Sequence, residues 1–140
     1  MQHQLILHND VQEVPLLASF IDGLAEEWGI DFSVAMSLNL AMEEAVVNVM
    51  NYAYPKGTQG EIRIDADYDT DVLTFTLIDS GTPFDPTAQA APDTALDFDE
   101  RPIGGLGIFL VRQIMDSIAY RYEKGQNILT LKKKIQTINL

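Results

Sequence analysis

The chain switches repeatedly between two periods of hydrophobicity, and each switch marks the border of an element. The opening "HQLILHN" is a short apolar run that predicts an N-terminal strand. "DVQEVPLLASFIDGLAEEWGI" then takes up helical spacing. Val14, Leu17, Phe20/Ile21, Leu24 and Trp28 share a stripe, Asp10 stands where a cap belongs, and Gly29 ends the run. "DFSVAMSLNLAMEEAVVNVMNYAY" predicts a second helix, from a cap at Ser33 to a stop at Pro55. In "GEIRIDADY" the period becomes two, with Ile62, Ile64, Ala66 and Tyr68 on one face. "DTD" turns the chain, and "VLTFTLID" alternates back with Leu73, Phe75 and Leu77, which predicts a hairpin.

Residues 84–103, "FDPTAQAAPDTALDFDERPI", carry three prolines and keep neither period. A connection of that length inside a compact domain reads as a functional loop. "GGLGIFLVRQIMDSI" follows as a glycine-led helix with Ile108, Val111, Ile114/Met115 and Ile118 as its stripe. "AYRYEKGQNILTLKKKIQTI" closes the chain as another hairpin with Gly125 at the tip. The order strand, two helices, hairpin, loop, helix, hairpin predicts an α+β fold, a two-layer sandwich with helices on one face of a mostly antiparallel sheet. A chain of 140 residues without internal repeats is expected to be one domain, residues 1–140.

Composition narrows the function. The net charge is −12, which argues against unaided binding to nucleic acid or to an anionic membrane. The one basic cluster, Lys132–Lys134, would be split between two faces by strand alternation and reads as an edge or solvated strand. No run approaches the ~18 apolar residues of a membrane span. "MQHQLILHND" lacks the basic start and long apolar stretch of a signal peptide. The absence of cysteine removes disulfides, thiolate metal sites and thiol nucleophiles. A cytoplasmic location is expected.

Three stations carry candidate chemistry. Glu44, Asn48 and Asn51 stand at i, i+4 and i+7 on the second helix, stacked along one narrow line with apolar Leu40 and Val47 beside it. Such a line is either a solvated stripe or a carboxylate and amides held at a cavity edge. A carboxylate there can accept a proton from an attacking hydroxyl, and an amide oxygen can hold Mg²⁺. Asp79 stands where an alternating strand runs into "SGTP". It either satisfies its own turn or meets a donor on a ligand, and Gly81 would let a flat ring approach the backbone. "GGLG", Gly104–Gly107, opens a helix, where exposed amides can bind phosphate. It is followed by no Gly-Lys-Ser/Thr, so it is not a Walker loop, and no parallel βαβ unit surrounds it.

In order, helix Glu-x-x-x-Asn, strand-end Asp-x-Gly, a long loop and a helix-opening Gly-x-Gly resemble the GHKL (Bergerat-fold) ATP-binding domain. With "EEAVVN", "DSGTPFDP" and "GGLGIFLVRQIMD" the chain resembles, within that group, the anti-sigma-factor serine/threonine-protein kinases of bacterial partner switching. The resemblance implies that Glu44 is the general base, with Glu43 solvated beside it, and that Asn48 holds Mg²⁺. It implies that Asp79 recognises the adenine amine with Gly81 beside the ring, and that Gly105, Leu106 and Gly107 face the phosphates of ATP. Residues 84–103 would be the ATP lid, and Asn51 would line the pocket one turn beyond Asn48. The implied partners are a STAS-type antagonist protein phosphorylated on serine and a sigma factor or other regulatory protein, with a homodimer as a further expectation.

Two features depart from that pattern. The lid carries Asp85, Asp93, Asp97, Asp99 and Glu100 against Arg101 alone, an acidic cover for a triphosphate. Arg101 is also separated from the glycine box by Pro102 and Ile103, whereas some relatives place an arginine immediately before it. The alternative function is a non-catalytic, nucleotide-binding or nucleotide-free interaction module. Retention of Glu44, Asn48, Asp79 and both glycines favours the enzyme. A detached histidine-kinase catalytic domain is a third reading; His3 and His8 lie near the N-terminus and no dimerisation helix pair precedes the site, so autophosphorylation is not expected.

Overall fold

The computed structural model describes residues 2–88 and 105–135, and for 105–107 it describes the backbone alone. The elements run β1 (Gln2–His8), a 3₁₀ turn (Val11–Glu13), α1 (Val14–Trp28), α2 (Phe32–Tyr52), β2 (Glu61–Asp69), β3 (Val72–Asp79), a second 3₁₀ turn (Pro86–Ala88), α3 (Gly105–Ile114), β4 (Ser117–Glu123) and β5 (Gln126–Lys134). The sheet order is β1-β2-β3-β5-β4, and every neighbouring pair is antiparallel. The α+β sandwich expected from the pattern is the observed fold.

Alternation builds the sheet's inner face. Ile62, Ile64 and Ala66 of β2, Leu73, Phe75 and Leu77 of β3, and Leu129 and Leu131 of β5 are all buried. They meet Leu17, Ile21 and Leu24 of α1, Ala41, Met42, Ala45, Val46 and Val49 of α2, and Ile108 and Val111 of α3 in one core. The helices therefore cover one face only. No helix among the described residues is long and apolar enough to cross a membrane.

Four boundaries differ from the sequence reading. Asp10 caps the 3₁₀ turn, its carboxylate accepting from Gln12 N at 2.9 Å, and α1 starts at Val14 with Pro15 in its first turn. Asp31 rather than Ser33 caps α2. Its carboxylate accepts from Ser33 N at 3.2 Å and from the Ser33 hydroxyl, and the hydroxyl bond first, then the amide, holds its pKa below the usual carboxylate value. A carboxylate two residues ahead reaches an orphan first-turn amide that Ser33, inside the helix, cannot.

Ile118 lies on β4, not α3. It pairs with Leu131 and Tyr120 pairs with Leu129, so a step that suits a helical stripe also satisfies a strand face. The chain leaves α3 because β5 captures it: Asp116 N donates to Lys132 O at 2.8 Å and the Asp116 carboxylate accepts from Lys134 N at 2.6 Å. Finally, β5 is interior, between β3 and β4, so the lysine run is no edge. Lys132 and Lys134 point out, while Lys133 turns under the helices and donates to Ile114 O at 2.9 Å, capping the end of α3.

Both hairpins close through two-residue turns with positive φ at each central position, Thr70 (51°) and Asp71 (63°) in one, Lys124 (53°) and Gly125 (78°) in the other. This type I′ geometry matches the strand twist but strains a β-branched residue. Thr70→Asn is accordingly expected to stabilise the protein by about 0.5–1 kcal/mol, read as a higher denaturation midpoint at unchanged slope.

Candidate functional site

The frame brings three segments to one end of the molecule. β3 ends at Asp79, which pairs with Asn127 at the start of β5. α2 reaches the same end, because Thr82 just past β3 donates to Ala53 O from its amide (2.6 Å) and its hydroxyl (3.0 Å). α3 has its last residue, Ile114, fixed by Lys133 at the opposite end of β5, so its first residue, Gly105, is directed back towards Asp79. The strand-end aspartate and the end of the helix that carries the carboxylate and amides thus meet at one end of the molecule, and the glycine-led helix is aimed at the same end, though the three are far apart in sequence.

Around α2 the line is graded. Asn39 Nδ2 donates to Asp22 of α1 at 3.0 Å, which marks the α1 side. At about 100° per residue, Asn48 lies opposite that side, where α3 packs. Asn48 is 5% exposed, Glu44 is half-buried and Asn51 is exposed. No group among the described residues hydrogen-bonds the Asn48 carboxamide. The flank expected to shield the line does not: Leu40 is 45% exposed and Val47 half-buried.

Asp79 is 3% exposed. Its Oδ1 accepts from Gly81 N and from Asn127 Nδ2, each at 2.9 Å. Among the described residues Oδ2 accepts from none, so one acceptor is left for a ligand. Burial raises the pKa of this carboxyl, and the bonds from Asn127 and Gly81 oppose that rise only in part. Gly81 has a structural demand of its own. A Cβ there would lie 2.3 Å from Ala53 O, so the backbone of α2 already requires glycine before any ring is considered.

Asn127 is the residue that sequence reasoning missed. It is 4% exposed and uses its whole carboxamide. Nδ2 donates to Asp79 Oδ1 and Thr82 O, both at 2.9 Å, while Oδ1 accepts from Phe84 N (3.0 Å) and Tyr120 Oη (2.5 Å). One signal was available: Asn127 has the same strand parity as Leu129 and Leu131, and a polar residue on an inward parity needs a partner. Beyond it, Tyr52 of α2 stacks on Phe84 at 5.2 Å and 23°, and the Arg112 guanidinium of α3 donates to Thr87 O. The expected lid begins within these residues, at 84–88; positions 89–103, with most of its acidic residues and Arg101, lie outside the described residues. Gly105, Leu106 and Gly107 form the first turn of α3. An opening of about 660 Å³ beside the loop is lined by Tyr54, Gly60, Ser80, Gly81, Thr82 and Tyr122; it includes Gly81 but none of Glu44, Asn48 and Asp79.

Two stability measurements follow. An amide at position 79 can accept from Gly81 and Asn127 through its oxygen while costing no charge burial. Because folding raises the Asp79 pKa, ionised Asp79 opposes folding, and this penalty grows as pH rises through the folded value. Asp79→Asn should therefore melt no lower than the parent at pH 7, and its relative advantage should shrink as the pH is lowered. Asn127→Leu strands Phe84 N, Thr82 O and Tyr120 Oη and should cost at least ~3 kcal/mol in denaturant unfolding.

The fold and site have counterparts among known proteins. The profile of the histidine kinase-like ATPase domain matches residues 7–133. The serine-protein kinase RsbW of Listeria monocytogenes is 28% identical over 116 residues, covering 80% of this chain and 74% of the relative. The serine/threonine-protein kinase BtrW of Bordetella bronchiseptica is 28% identical over 108 residues, covering 77% and 75%. The crystal structure of the RsbU and RsbW domains of Rv1364c from Mycobacterium tuberculosis matches with a TM-score of 0.69 at 15% identity, over 96% of this chain and 32% of that one. This chain thus spans about a third of that protein. The histidine kinase domain of Erythrobacter litoralis EL346 matches with a TM-score of 0.52, also at 15% identity, over 89% of this chain and 60% of that one. At such identities the two structures bear on the fold, which they share, while the profile spans every element that builds the site. The chain belongs to the histidine kinase-like ATPase domain family.

Proposed function

We propose that the chain is an ATP-dependent protein serine/threonine kinase that modifies a serine of a STAS-type antagonist and thereby controls its own hold on a sigma factor or similar regulator. The observation that carries this reading is Asn48: a carboxamide 5% exposed and unpartnered among the described residues, on the side of α2 opposite α1. Its amide atoms are not among the fully buried polar atoms that lack a partner, so they keep a path to solvent through which a ligand can reach them.

In this reading the adenine amine donates to Asp79 Oδ2, the acceptor that Asn127 and Gly81 leave open. The phosphates run along α2 towards the amides of Gly105, Leu106 and Gly107, where helix-start N–H groups favour an anion. The Asn48 amide oxygen would hold Mg²⁺. Among the described residues no group of three carboxylates or histidines is placed to hold a metal, so nucleotide oxygens and water would complete the shell. Bound there, the ion neutralises charge on the phosphates. Asn51, exposed at the rim, would meet the nucleotide only at its edge. Glu44, one turn or about 6 Å back along α2 from Asn48, faces the phosphoryl end rather than the base. It takes the proton of the acceptor serine as that oxygen bonds to the γ-phosphorus, the bond to the β–γ bridging oxygen breaks, and ADP leaves. The relatives named serine-protein kinases support this chemistry.

Calorimetric titration is the first test. ATP should bind in the presence of Mg²⁺. Asp79→Asn should lose binding at least tenfold while remaining folded, because the amide presents a donor to the adenine amine. Glu44→Ala should bind ATP within a few-fold of the parent and transfer phosphate to a serine-bearing STAS protein at least ~100-fold more slowly. ATP binding without any transfer by the parent would leave the non-catalytic module as the correct function, and no binding at millimolar ATP would overturn the nucleotide site itself.

A further inference from the structure

Phe32, Met36 and Leu40 stand at i, i+4 and i+8 on α2 and are 77%, 59% and 45% exposed. They form one line about 12 Å long on the outer surface of the helical layer. Scattered exposed apolar residues need no explanation, but three in register along one helix make a continuous strip that α2 could have filled with polar side chains at no packing loss. The strip lies outside the core, and at its Leu40 end it adjoins the row of Glu44 and Asn48, which continues further round α2.

Its electrostatic setting is one-sided. No lysine or arginine precedes Lys56, whereas Asp22, Glu26, Glu27, Asp31, Glu43 and Glu44 lie on or between α1 and α2. Asp31 brackets the strip at its N-terminal end and Glu43 continues its line at the other, while Asp22 flanks it from α1 through Asn39. Among the described residues none of these carboxylates pairs with a lysine or arginine; Glu27 pairs with His3. The described arginine and lysine side chains instead sit on the sheet strands, the loops and α3, as with Arg63, Arg112, Arg121 and Lys132. An apolar strip ringed by unneutralised carboxylates selects its occupant by charge. Nucleic acid and anionic lipid are repelled. A two-fold copy of the same surface would set these carboxylates against their own counterparts.

We propose that the Phe32–Met36–Leu40 strip with its flanking carboxylates is a docking surface for a basic amphipathic helix of a partner protein. Such a helix would lay about three turns of apolar side chains on the strip and aim lysines or arginines at Asp22, Asp31 and Glu43. The proposal does not depend on the kinase reading, because none of Phe32, Met36 and Leu40 is among the residues assigned to the nucleotide.

The test uses the full chain and two 14-residue amphipathic helical peptides of identical apolar pattern, one of leucine and lysine, the other of leucine and glutamate, titrated calorimetrically. The leucine–lysine peptide should bind with an affinity that falls as salt is raised, and the leucine–glutamate peptide should not bind. Phe32→Ser/Met36→Ser/Leu40→Ser should weaken the lysine peptide at least tenfold, and Glu43→Lys at least threefold. The melting temperature and ATP titration of both variants should stay as in the parent, which separates this surface from the nucleotide site. Equal binding by the triple variant, equal binding of the two peptides, or no binding at millimolar lysine peptide would each overturn the proposal. So would a parent that sediments as a dimer and a triple variant that sediments as a monomer, which would give the strip to a second copy.

Discussion

The hydrogen bond from Asn127 to Asp79 joins the two strands on which the cleft end of this molecule is built. β3 and β5 are neighbours in the sheet although 46 residues (80–125) separate the end of one from the start of the other, and the pair Asp79–Asn127 closes their ladder. From the same carboxamide, bonds reach Thr82 O and Phe84 N, so the loop leaving β3 is held to the sheet by one side chain. Thr82 in turn closes on Ala53 at the end of α2. Sheet, loop and helix are thereby set relative to one another at the point where Asp79 keeps one oxygen open. The buried carboxylate is costly by itself, as its raised pKa records, and it is retained with two donors on one side only.

α2 carries two kinds of surface besides its core face. On the side away from α1 it carries Glu44 and Asn48. Outward it presents apolar residues among carboxylates. This answers why its amphipathicity is weak: a helix whose polar residues stand partly on a buried side and whose apolar residues stand partly outside cannot have one clean stripe. The same charge separation bears on the whole molecule. The six carboxylates on or between α1 and α2, with no lysine or arginine among them, would repel anionic partners there. In the proposed kinase, phosphate binding would then be left to backbone amides, which carry no competing side-chain charge.

Much of the fold was legible because the two periods are strong and their breaks carry turn residues. β3 was readable to the residue, since Leu73, Phe75 and Leu77 alternate without interruption and Asp79 continues their parity. The end of α3 was not, because Ile114, Met115 and Ile118 satisfy a helical stripe and Ile118 also satisfies a strand face. The cap of α2 was placed at Ser33 because serine is a good cap by type; the backbone put Asp31 at the position from which a side chain reaches a free amide.

Of the candidate site, residue types at characteristic spacings pointed to Glu44, Asn48 and Asp79 without coordinates, since a carboxylate and an amide four apart on a helix must share a side and a polar residue at a strand end must find a partner. What the sequence by itself determined was therefore local: element types, parities, and which polar side chains stand in apolar company. Only the tertiary structure decided which of them meet. Asn127 looks like an ordinary strand residue until β5 inserts beside β3. Leu40 looks like a shield until α1 and α3 are seen to leave it uncovered. Lys133 looks like one of a cationic run until it caps α3. Each of these outcomes rests on a contact between segments distant along the chain, and such contacts are fixed by which surfaces the sheet order brings together, a property that no local period encodes.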